Sequence, residues 1–585
     1  MPESPAPPPT TAFARLFARA TRSGQAAAFS LPGGAPLFLA GEAAENLYLL
    51  VAGRLAAVRA APGREPRFLG LIRPGELAGE MALLAASPHS ADVIALRDCE
   101  VLALPRAHLL ALARRDPALM IELSRLVVRR ARQDEEMASP SEPTVFGLIA
   151  VDGSVEARAL AEAIAEAIGA MGSSAAVAGI EARGETAEWF SALERAHEFV
   201  LYAVEAGQTA WSGQVRRQAD RLVWLAAGAG TPPAPSADPL DPVTPLHRQA
   251  DLVLVHDTDC PAPTGSGAWR VALASARHFH LRRSNSGDIR RLARTFTGRS
   301  VGLVLSGGAA RAYAHVGVIR VLKARGVPID FVGGASLGAI VAAGLAMGWE
   351  IDELEARIRR AFVDSSPLDD IAFPLIAMTR GEKVRARLAR HFGDRDIADL
   401  WLPFFCVSSN LTTGFSRLHR EGVLRRALTA SVSLPGVLPP VIDGADVLVD
   451  GALMKNFPAD LMRQVNAGPI IGVDVGRGRS IDAHDLAPRS VWRWILSGDW
   501  RKGPPIVSLL MRAATVSGGG DLIAARAATD VLIVPMVDDI EMRDWRAFEP
   551  AVAAGERAAS AALDGLTGPV TELRRRPSTA ANRPD

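Results

Sequence analysis

Residues 301–348 contain two short apolar runs, each ended by a glycine-rich turn and followed by a helix-forming stretch. The runs at 301–305 and 329–332 are β-prone, and the stretches after the turns carry Ala, Leu and Ile at helical spacing. Two strand–turn–helix units in succession are typical of an α/β fold. These two strand–turn–helix units therefore constrain the fold of this region more than any other sequence feature does.

The second turn holds a lone serine, Ser336, between Gly334 and Gly338. Small residues at these two positions let the backbone turn sharply, so that the hydroxyl is exposed at the start of the helix. The alternative is that this serine only caps the N-terminus of the helix and has no catalytic role. Because a strand precedes the Gly-x-Ser-x-Gly pattern and a helix follows it, we expect Ser336 to be a nucleophile.

The first turn, residues 306–310, lies at the start of a helix and therefore presents free backbone N–H groups. Such a turn can bind a dinucleotide phosphate or the oxyanion of an acyl transfer. The dinucleotide pattern needs three glycines, and only Gly307 is present, because Ala309 and Ala312 occupy the other two positions. With a candidate nucleophile one unit later, the oxyanion is the favoured interpretation.

A serine nucleophile needs a base, and Asp450 is the candidate. It ends an apolar run and is followed by Gly451 and Ala452. A carboxylate at the end of a strand can reach a hydroxyl on a neighbouring strand. The alternative is a turn-forming Asp-Gly pair, for which Asp443-Gly444 is a nearby example.

The order of these motifs resembles the patatin-like phospholipases over about residues 297–470, and SNLTTG at 409–414 and ASVSLPGVLPPV at 430–441 also fit that family. The resemblance implies a three-layer α/β/α fold and a Ser–Asp dyad that acts on lipid esters without a histidine. Ser336 then matches the nucleophile and Asp450 the general base. The residues that match the oxyanion-side turn are Gly307, Gly308, Ala309 and Arg311.

Three positions depart from the glycines usual in that family: Ser306, Ala309 and Ala312. Alanine keeps the N–H donor but resists a positive φ, at a cost of about 1 kcal/mol where glycine geometry is needed. We therefore expect glycine at Ala309 or Ala312 to preserve or raise turnover. A Ser–His–Asp triad would instead need a histidine such as His484, which lies in a polar stretch, whereas His315 is expected to pack.

The first third of the chain reads as short strands between glycine turns over residues 29–106, which predicts a small antiparallel roll with two helices after it. Residues 74–82 resemble the phosphate-binding cassette of cyclic-nucleotide-binding domains, in which a Gly-Glu pair holds the ribose and an arginine holds the phosphate. Gly79 and Glu80 keep the first role, but His89 stands where the arginine is expected. Since a neutral histidine offers no bidentate fork, binding of a cyclic nucleotide is doubtful.

The middle region, residues 144–296, reads as buried strands alternating with helices, which predicts an α/β layer domain. Its first turn lacks the Gly-Lys-Thr of a phosphate loop, so we do not expect nucleotide hydrolysis. His278, His280, Arg282 and Arg283 read as a polar linker. The order of the three regions resembles bacterial relatives of neuropathy target esterase.

Composition excludes several other classes of protein. The net charge of +1 argues against a nucleic-acid partner, and three scattered cysteines argue for a reducing compartment and against a zinc site. We expect a cytoplasmic protein with no cofactor and no metal. Contact with the inner face of a membrane stays open, because the tryptophans and arginines of residues 490–511 suit a lipid surface, the cover of a protein core or an oligomer contact.

The sequence thus predicts a multi-domain protein with a cyclic-nucleotide-binding-like β-roll at 12–135, an α/β middle domain at 144–296, a patatin-like domain at 297–568 and a flexible tail at 569–585. The predicted function is hydrolysis of fatty-acyl ester bonds in phospholipids or lysophospholipids by Ser336 and Asp450, with regulation by the N-terminal domain left open. The alternative is a regulatory protein that binds acyl chains without catalysis.

Overall fold

The computed structural model describes residues 12–61, 64–133, 143–234, 250–364, 370–372, 376–476, 519–542 and 544–574. His484 and the stretch 490–511 lie outside these residues. The chain forms two compact units, one of Met1–Ala227, Pro232–Val253 and Arg270–Arg277, the other of Gly228–Thr231, Leu254–Trp269 and His278–Asp585. The predicted boundaries at residues 135, 144, 296 and 568 stay predictions.

The first unit begins with the predicted antiparallel roll. Its two four-stranded sheets have the strand orders β1-β8-β3-β6 and β2-β7-β4-β5. One core cluster joins apolar side chains of the two sheets, and a second packs helix residues against the first sheet. The elements are α1 (Ala12–Arg22), β1 (Ala27–Leu31), β2 (Pro36–Phe38), β3 (Asn46–Ala52), β4 (Leu55–Ala61), β5 (Arg64–Ile72), β6 (Leu77–Ala78), α2 (Glu80–Ala85), β7 (Asp92–Ala95), β8 (Cys99–Pro105), α3 (Arg106–Arg115) and α4 (Pro117–Gln133).

A six-stranded sheet of order β10-β11-β9-β12-β13-β14 follows, as the alternation of buried strands and helices predicts. β9 is parallel to β11 and β12, and β10 is parallel to β11. The elements are β9 (Val145–Ala150), α5 (Ala157–Ala170), β10 (Ala175–Ala178), α6 (Ala187–Ala196), β11 (Phe199–Val204), α7 (Thr209–Gln218), β12 (Arg221–Ala227), β13 (Ala250–His256), α8 (Ser266–Ala272), β14 (Arg277–Arg282) and α9 (Ser286–Phe296).

A buried ion cluster joins the roll to this sheet within the first unit. The guanidinium of Arg97, which is only 2% exposed, contacts the carboxylates of Asp220 and Glu194. Asp220 also accepts the N–H groups of Thr144 and Val145, at 3.0 and 3.1 Å. Burial alone would raise the pKa of Asp220, but the arginine charges and these hydrogen bonds lower it to about 2, so the carboxylate stays ionised.

The prediction of a polar linker around His278 and His280 is wrong, because both residues belong to β14. Alternate residues of a strand share a face, and both imidazole Nε2 groups accordingly donate to the main-chain oxygen of Ala398, at 2.8 and 2.9 Å. His280 Nδ1 accepts from His256 Nε2 at 2.9 Å. Burial lowers the pKa of His280 well below its usual value, and a neutral ring with both nitrogens bonded is compatible with a buried strand.

The second unit is built on an eight-stranded sheet of order β19-β20-β17-β16-β15-β21-β22, in which β18 also pairs with β17. Its elements are β15 (Gly302–Leu305), α10 (Ala314–Ala324), β16 (Phe331–Ala335), α11 (Ser336–Ala346), α12 (Ile351–Ile358), α13 (Glu382–Phe392), β17 (Phe404–Asn410), β18 (Phe415–His419), α14 (Leu424–Val432), β19 (Val441–Asp443), β20 (Asp446–Asp450), α15 (Ala459–Val465), β21 (Ile470–Val473), α16 (Gly519–Ala527), β22 (Val531–Ile533) and α17 (Phe548–Asp564). The predicted α/β fold is confirmed.

Strand direction decides which residues meet at one edge of this sheet. β15, β16, β17, β21 and β22 are parallel, so their carboxyl ends share an edge. β20 runs antiparallel to β17, and its last residue, Asp450, pairs with Ser408. Ala335, the last residue of β16, pairs with Val407 on the other side of β17. Asp450 and Ser336 therefore flank the same end of β17.

Candidate active site

Ser336 occupies a tight turn between β16 and α11. Its φ is 51°, in the left-handed region that non-glycine residues rarely adopt. A Cβ on Gly334 would lie 2.6 Å from the main-chain oxygen of Leu305, and a Cβ on Gly338 would clash with the oxygen of Ser306. Positions 334 and 338 must therefore be glycine. The turn leaves Ser336 partly exposed, at the first position of the helix.

The hydroxyl of Ser336 meets the carboxylate of Asp450 directly. Ser336 Oγ donates to Asp450 Oδ2 at 2.7 Å, although 114 residues separate the two in sequence. The other carboxylate oxygen, Oδ1, accepts the N–H of Ala452 at 2.8 Å. The Asp450-Gly451-Ala452 segment thus turns the carboxylate toward the serine.

Burial changes the acidity of the Asp450 carboxyl group. The side chain is buried, with 2% of its surface exposed, and burial raises its pKa to about 6. The hydrogen bonds from Ala452 and Ser336 oppose this rise, because they stabilise the carboxylate form. A carboxyl group with a pKa near the working pH exchanges a proton more readily than an ordinary aspartate.

The two further motif segments hold Ser336 and Asp450 in place, a role that the sequence did not reveal. Ser431 Oγ accepts the N–H of Ser336 at 2.9 Å, and the oxygen of Ser433 accepts the N–H of Asp450 at 2.9 Å. Ser409 Oγ donates to the main-chain oxygen of Asp450 at 2.9 Å. The serines within ASVSLPGVLPPV and SNLTTG were the available signal, since buried serines in a motif often bond to backbone.

The first glycine turn lies against Ser336. A Cβ on Gly307 would lie 3.0 Å from Ser336 Cβ, so the two turns are in contact. The N–H of Gly307 already donates to the oxygen of Asn456 at 3.2 Å. The N–H groups of Gly308 and Ala309 have no acceptor among the described residues. The N–H groups of Gly308 and Ala309 are therefore available to an acceptor such as an oxyanion, whereas that of Gly307 is occupied.

Arg311, which the resemblance placed with this turn, hydrogen bonds to the backbone of another loop. Its Nε donates to the oxygen of Ile540 at 2.8 Å, and the N–H of Ala310 donates to the oxygen of Met542 at 3.0 Å. These bonds fix the turn to residues 540–542.

Ser306, one of the departures from glycine, has a structural role. Its Oγ accepts the N–H of Val475 at 2.9 Å, and its main-chain oxygen accepts from His315 Nε2 at 2.8 Å. Burial lowers the pKa of His315 to about 4, so the ring is neutral and, as predicted, packs inside the domain.

No histidine among the described residues hydrogen bonds to Ser336 or Asp450. A second serine–histidine pair exists, in which Ser408 Oγ lies 2.7 Å from His419 Nε2. Ser408 is fully buried in the middle of β17 and cannot meet a substrate. In the part of the chain that the structure describes, no group of three or more His, Cys, Asp or Glu side chains could hold a metal ion.

The cassette of the roll brings together the three residues that the sequence assigned to it. Gly79 has a φ of 84° and precedes α2, whose first residue, Glu80, is buried. A Cβ on Gly79 would lie 3.4 Å from His89 Cε1. The His89 ring stacks on Phe38 with centroids 3.7 Å apart, and burial lowers its pKa. The position of the phosphate-binding arginine thus holds a neutral, stacked ring.

Comparison with protein families supports the three regions. A patatin-like phospholipase model matches residues 303–463, and a cyclic nucleotide-binding domain model matches residues 28–116. A model of the neuropathy target esterase (NTE) family P-loop like domain matches residues 167–301. The Gly-Lys-Thr of a phosphate loop is absent from the sequence, so the likeness to a P-loop domain does not extend to that motif.

Three individual proteins illustrate these similarities. An uncharacterized NTE family protein of Mycobacterium tuberculosis is 32% identical over 545 residues, which cover 90% of each chain. Mouse patatin-like phospholipase domain-containing protein 6 is 27% identical over 605 residues, 91% of this chain and 45% of that protein. The crystal structure of the Thermus thermophilus catabolite activator protein is 36% identical over 21% of this chain and 58% of that chain, with a TM-score of 0.20.

Ala309 and Ala312 are expected to respond differently to substitution by glycine. Ala309 has a φ of 46°, so Ala309→Gly should remove about 1 kcal/mol of strain and preserve or raise turnover. Ala312 lies in the 3-10 helix Ala309–Tyr313 and is fully buried. Ala312→Gly should therefore lower the melting temperature without raising turnover, which corrects the equal expectation from sequence. Steady-state kinetics and thermal unfolding test the pair, and a collapse of activity in Ala309→Gly would contradict the assignment of this turn.

The neutral ring of His89 predicts weak binding of cyclic AMP and cyclic GMP at pH 7.5. A charge-assisted hydrogen bond is worth about 1.5–3 kcal/mol, so His89→Arg should tighten binding roughly tenfold to a hundredfold. Acidification to pH 5.5 should gain less, since burial holds the pKa of His89 below its usual value. Calorimetry on the full chain measures this, with His108→Arg on the exposed surface of α3 as a control for added charge. Micromolar or tighter binding by the unaltered chain would refute the prediction.

Proposed function

This chain belongs to the NTE family and contains a patatin-like phospholipase domain, and on that premise we propose that it hydrolyses lipid esters through a dyad of Ser336 and Asp450. Family membership supports the lipid ester hydrolase activity. The dyad and the preference for phospholipid or lysophospholipid esters are the finer parts of the proposal.

A single observation carries the proposal, the 2.7 Å hydrogen bond from Ser336 Oγ to the buried Asp450 carboxylate. A serine hydroxyl becomes an effective nucleophile when a base accepts its proton. Asp450 can do so without a histidine because its raised pKa makes it a stronger base than a solvated aspartate.

In the proposed first half-reaction, the Ser336 oxygen attacks the ester carbonyl carbon while its proton passes to Asp450. The carbonyl oxygen becomes an oxyanion, which the N–H groups of Gly308 and Ala309 stabilise. The intermediate then collapses to an acyl-serine. The alcohol portion of the lipid leaves and takes the proton from Asp450.

In the second half-reaction, a water molecule replaces the alcohol. Asp450 accepts a proton from that water as its oxygen attacks the acyl-serine carbonyl, and the same two N–H groups stabilise the second oxyanion. Collapse breaks the bond to Ser336 Oγ, which recovers the proton, and a fatty acid leaves. The cycle consumes one water and needs no group beyond these residues.

Exposed apolar side chains support contact with a lipid surface from one side. No described helix is long and apolar enough to cross a membrane. Leu411, Phe415 and Ile442, which are 50, 76 and 59% exposed, lie on the β17–β18 and β19–β20 hairpins. These hairpins end beyond Ser336 at the same edge of the sheet. A surface of this kind suits substrates that are presented in aggregates.

The N-terminal roll is proposed to regulate the activity without being a tight cyclic-nucleotide receptor. Its buried Arg97 cluster fixes it to the neighbouring α/β sheet, so a change in the roll can act on that sheet. The alternative, a protein that binds acyl chains without catalysis, differs in one measurable property. Only an activated serine reacts with a fluorophosphonate probe.

The dyad predicts the outcome of two substitutions. Ser336→Ala should abolish fluorophosphonate labelling and hydrolysis of p-nitrophenyl and lysophospholipid esters. Asp450→Asn keeps the size of the side chain but removes the base, so it should lower kcat by two to four orders of magnitude, on the order of a full general-base contribution.

Two matched variants serve as controls. Asp443→Asn changes the neighbouring Asp-Gly turn, whose side chain is 40% exposed, and His484→Ala removes the histidine of a hypothetical triad. Both should leave kcat within a few fold. The dyad would be refuted if Asp450→Asn were tolerated while His484→Ala silenced the protein. Absence of labelling in the unaltered protein would favour the non-catalytic alternative.

A further inference from the structure

Asn456 bonds to both sides of the residue that begins the oxyanion turn. Its main-chain oxygen accepts the N–H of Gly307, and its side-chain Nδ2 donates to the oxygen of Gly307, both at 3.2 Å. The two contacts join a turn after β15 to a loop after β20, 149 residues later in the chain. Asn456 therefore holds Gly307 from two directions.

The planar peptide gives the side-chain contact a consequence for catalysis. The oxygen of Gly307 and the N–H of Gly308 belong to one trans peptide, in which they point in opposite directions. When Asn456 Nδ2 binds that oxygen, the N–H of Gly308 must point away from Asn456. This N–H is one of the two donors left free for an oxyanion.

The orientation of the Asn456 amide is fixed by its surroundings. Nδ2 faces a carbonyl oxygen, so the reverse orientation would place two acceptors against each other. Oδ1 is buried and has no hydrogen-bond partner among the described residues. A Cβ on Gly307 would lie 2.6 Å from that Oδ1, and a Cβ on Gly476 would lie 2.5 Å from Nδ2. Two glycines thus make room for a side chain that leaves one of its own acceptors unsatisfied.

We propose that Asn456 is a positioning residue that aims the Gly308 N–H at the oxyanion. The inference rests on the proposed function, since it concerns the transition state of that reaction. The hydrogen bonds of Asn456 go to Gly307 and not to Ser336 or Asp450, so its effect should fall on turnover and leave the base unchanged. If Asn456 served only the stability of the fold, its replacement would not lower turnover while leaving the pKa of the base unchanged.

The test compares two variants of Asn456 with the unaltered full chain. Asn456→Ala removes the amide, and Asn456→Asp keeps its size but sets a carboxylate oxygen against the oxygen of Gly307. Each should lower kcat on a short p-nitrophenyl ester about tenfold to a hundredfold, somewhat less than the loss of a whole oxyanion donor. KM should stay within about threefold, because the carbonyl oxygen is held more strongly in the transition state than in the bound substrate.

Two further measurements separate positioning from loss of structure. Exhaustive fluorophosphonate titration counts competent sites, so kcat is expressed per site. The pH dependence of kcat/KM should keep the midpoint of the unaltered chain in Asn456→Ala, which adds no charge, whereas a disturbed Asp450 would shift it.

Asn466→Ala provides a matched control. Asn466 is buried in the same unit and also bonds one residue twice, with Nδ2 donating to the main-chain oxygen of Ser300 at 3.0 Å and Oδ1 accepting from the Ser300 hydroxyl at 2.6 Å. Ser300 precedes β15, at the opposite edge of the sheet from Ser336. This variant should lower the melting temperature and keep kcat per site.

The outcomes distinguish the two claims. An unaltered chain that neither reacts with the probe nor hydrolyses esters would overturn the proposed function and this inference with it. A reactive unaltered chain with an unchanged kcat per site in Asn456→Ala or Asn456→Asp would overturn this inference alone. A fall in kcat per site in both variants, with an unchanged pH midpoint in Asn456→Ala and no such fall in Asn466→Ala, is the expected result.

Discussion

The hydrogen bond between Ser336 Oγ and Asp450 Oδ2 is the contact on which the rest of this site depends. It requires β16 and β20 to end at one level on either side of β17, in opposite directions. It also requires Asp450 to be ionised inside the protein, where its carboxylate accepts from the Ser336 hydroxyl and the Ala452 N–H. The sheet order, the antiparallel β20 and the motif serines all serve these two requirements.

The site costs stability in ways that the structure makes explicit. Ser336 and Ala309 both have positive φ values, and such residues cost roughly 1–3 kcal/mol each where a side chain is present. The pKa of Asp450 is raised to about 6, above its value in an unfolded chain, so folding loses roughly 3 kcal/mol as the pH rises from about 4 to above 6. The buried cores of the second unit must offset these costs, since none of the three features strengthens the fold.

Much of the fold can be predicted from sequence, whereas the dyad of Ser336 and Asp450 stays a prediction. The limits of sequence reasoning have a physical cause. The turn around Ser336, with Gly334 and Gly338, can be predicted because a tight strand-to-helix turn demands particular residues at fixed spacing. The hydrogen bond that occupies the Gly307 N–H cannot be predicted, because it depends on a backbone oxygen 149 residues away. β14 was missed for a related reason, since His280 is polar in sequence but becomes compatible with burial once both ring nitrogens have partners.

The pH dependence of Ser336 reactivity tests the central claim most directly. The rate of fluorophosphonate labelling reports the nucleophile without substrate binding or product release. If Asp450 is the base, the rate should rise with pH, reach half its maximum near pH 6 and stay constant above pH 7, because only the ionised carboxylate accepts the serine proton. A labelling rate that does not change between pH 5 and 8 would contradict the account, as would a rise that persists unchanged in Asp450→Asn.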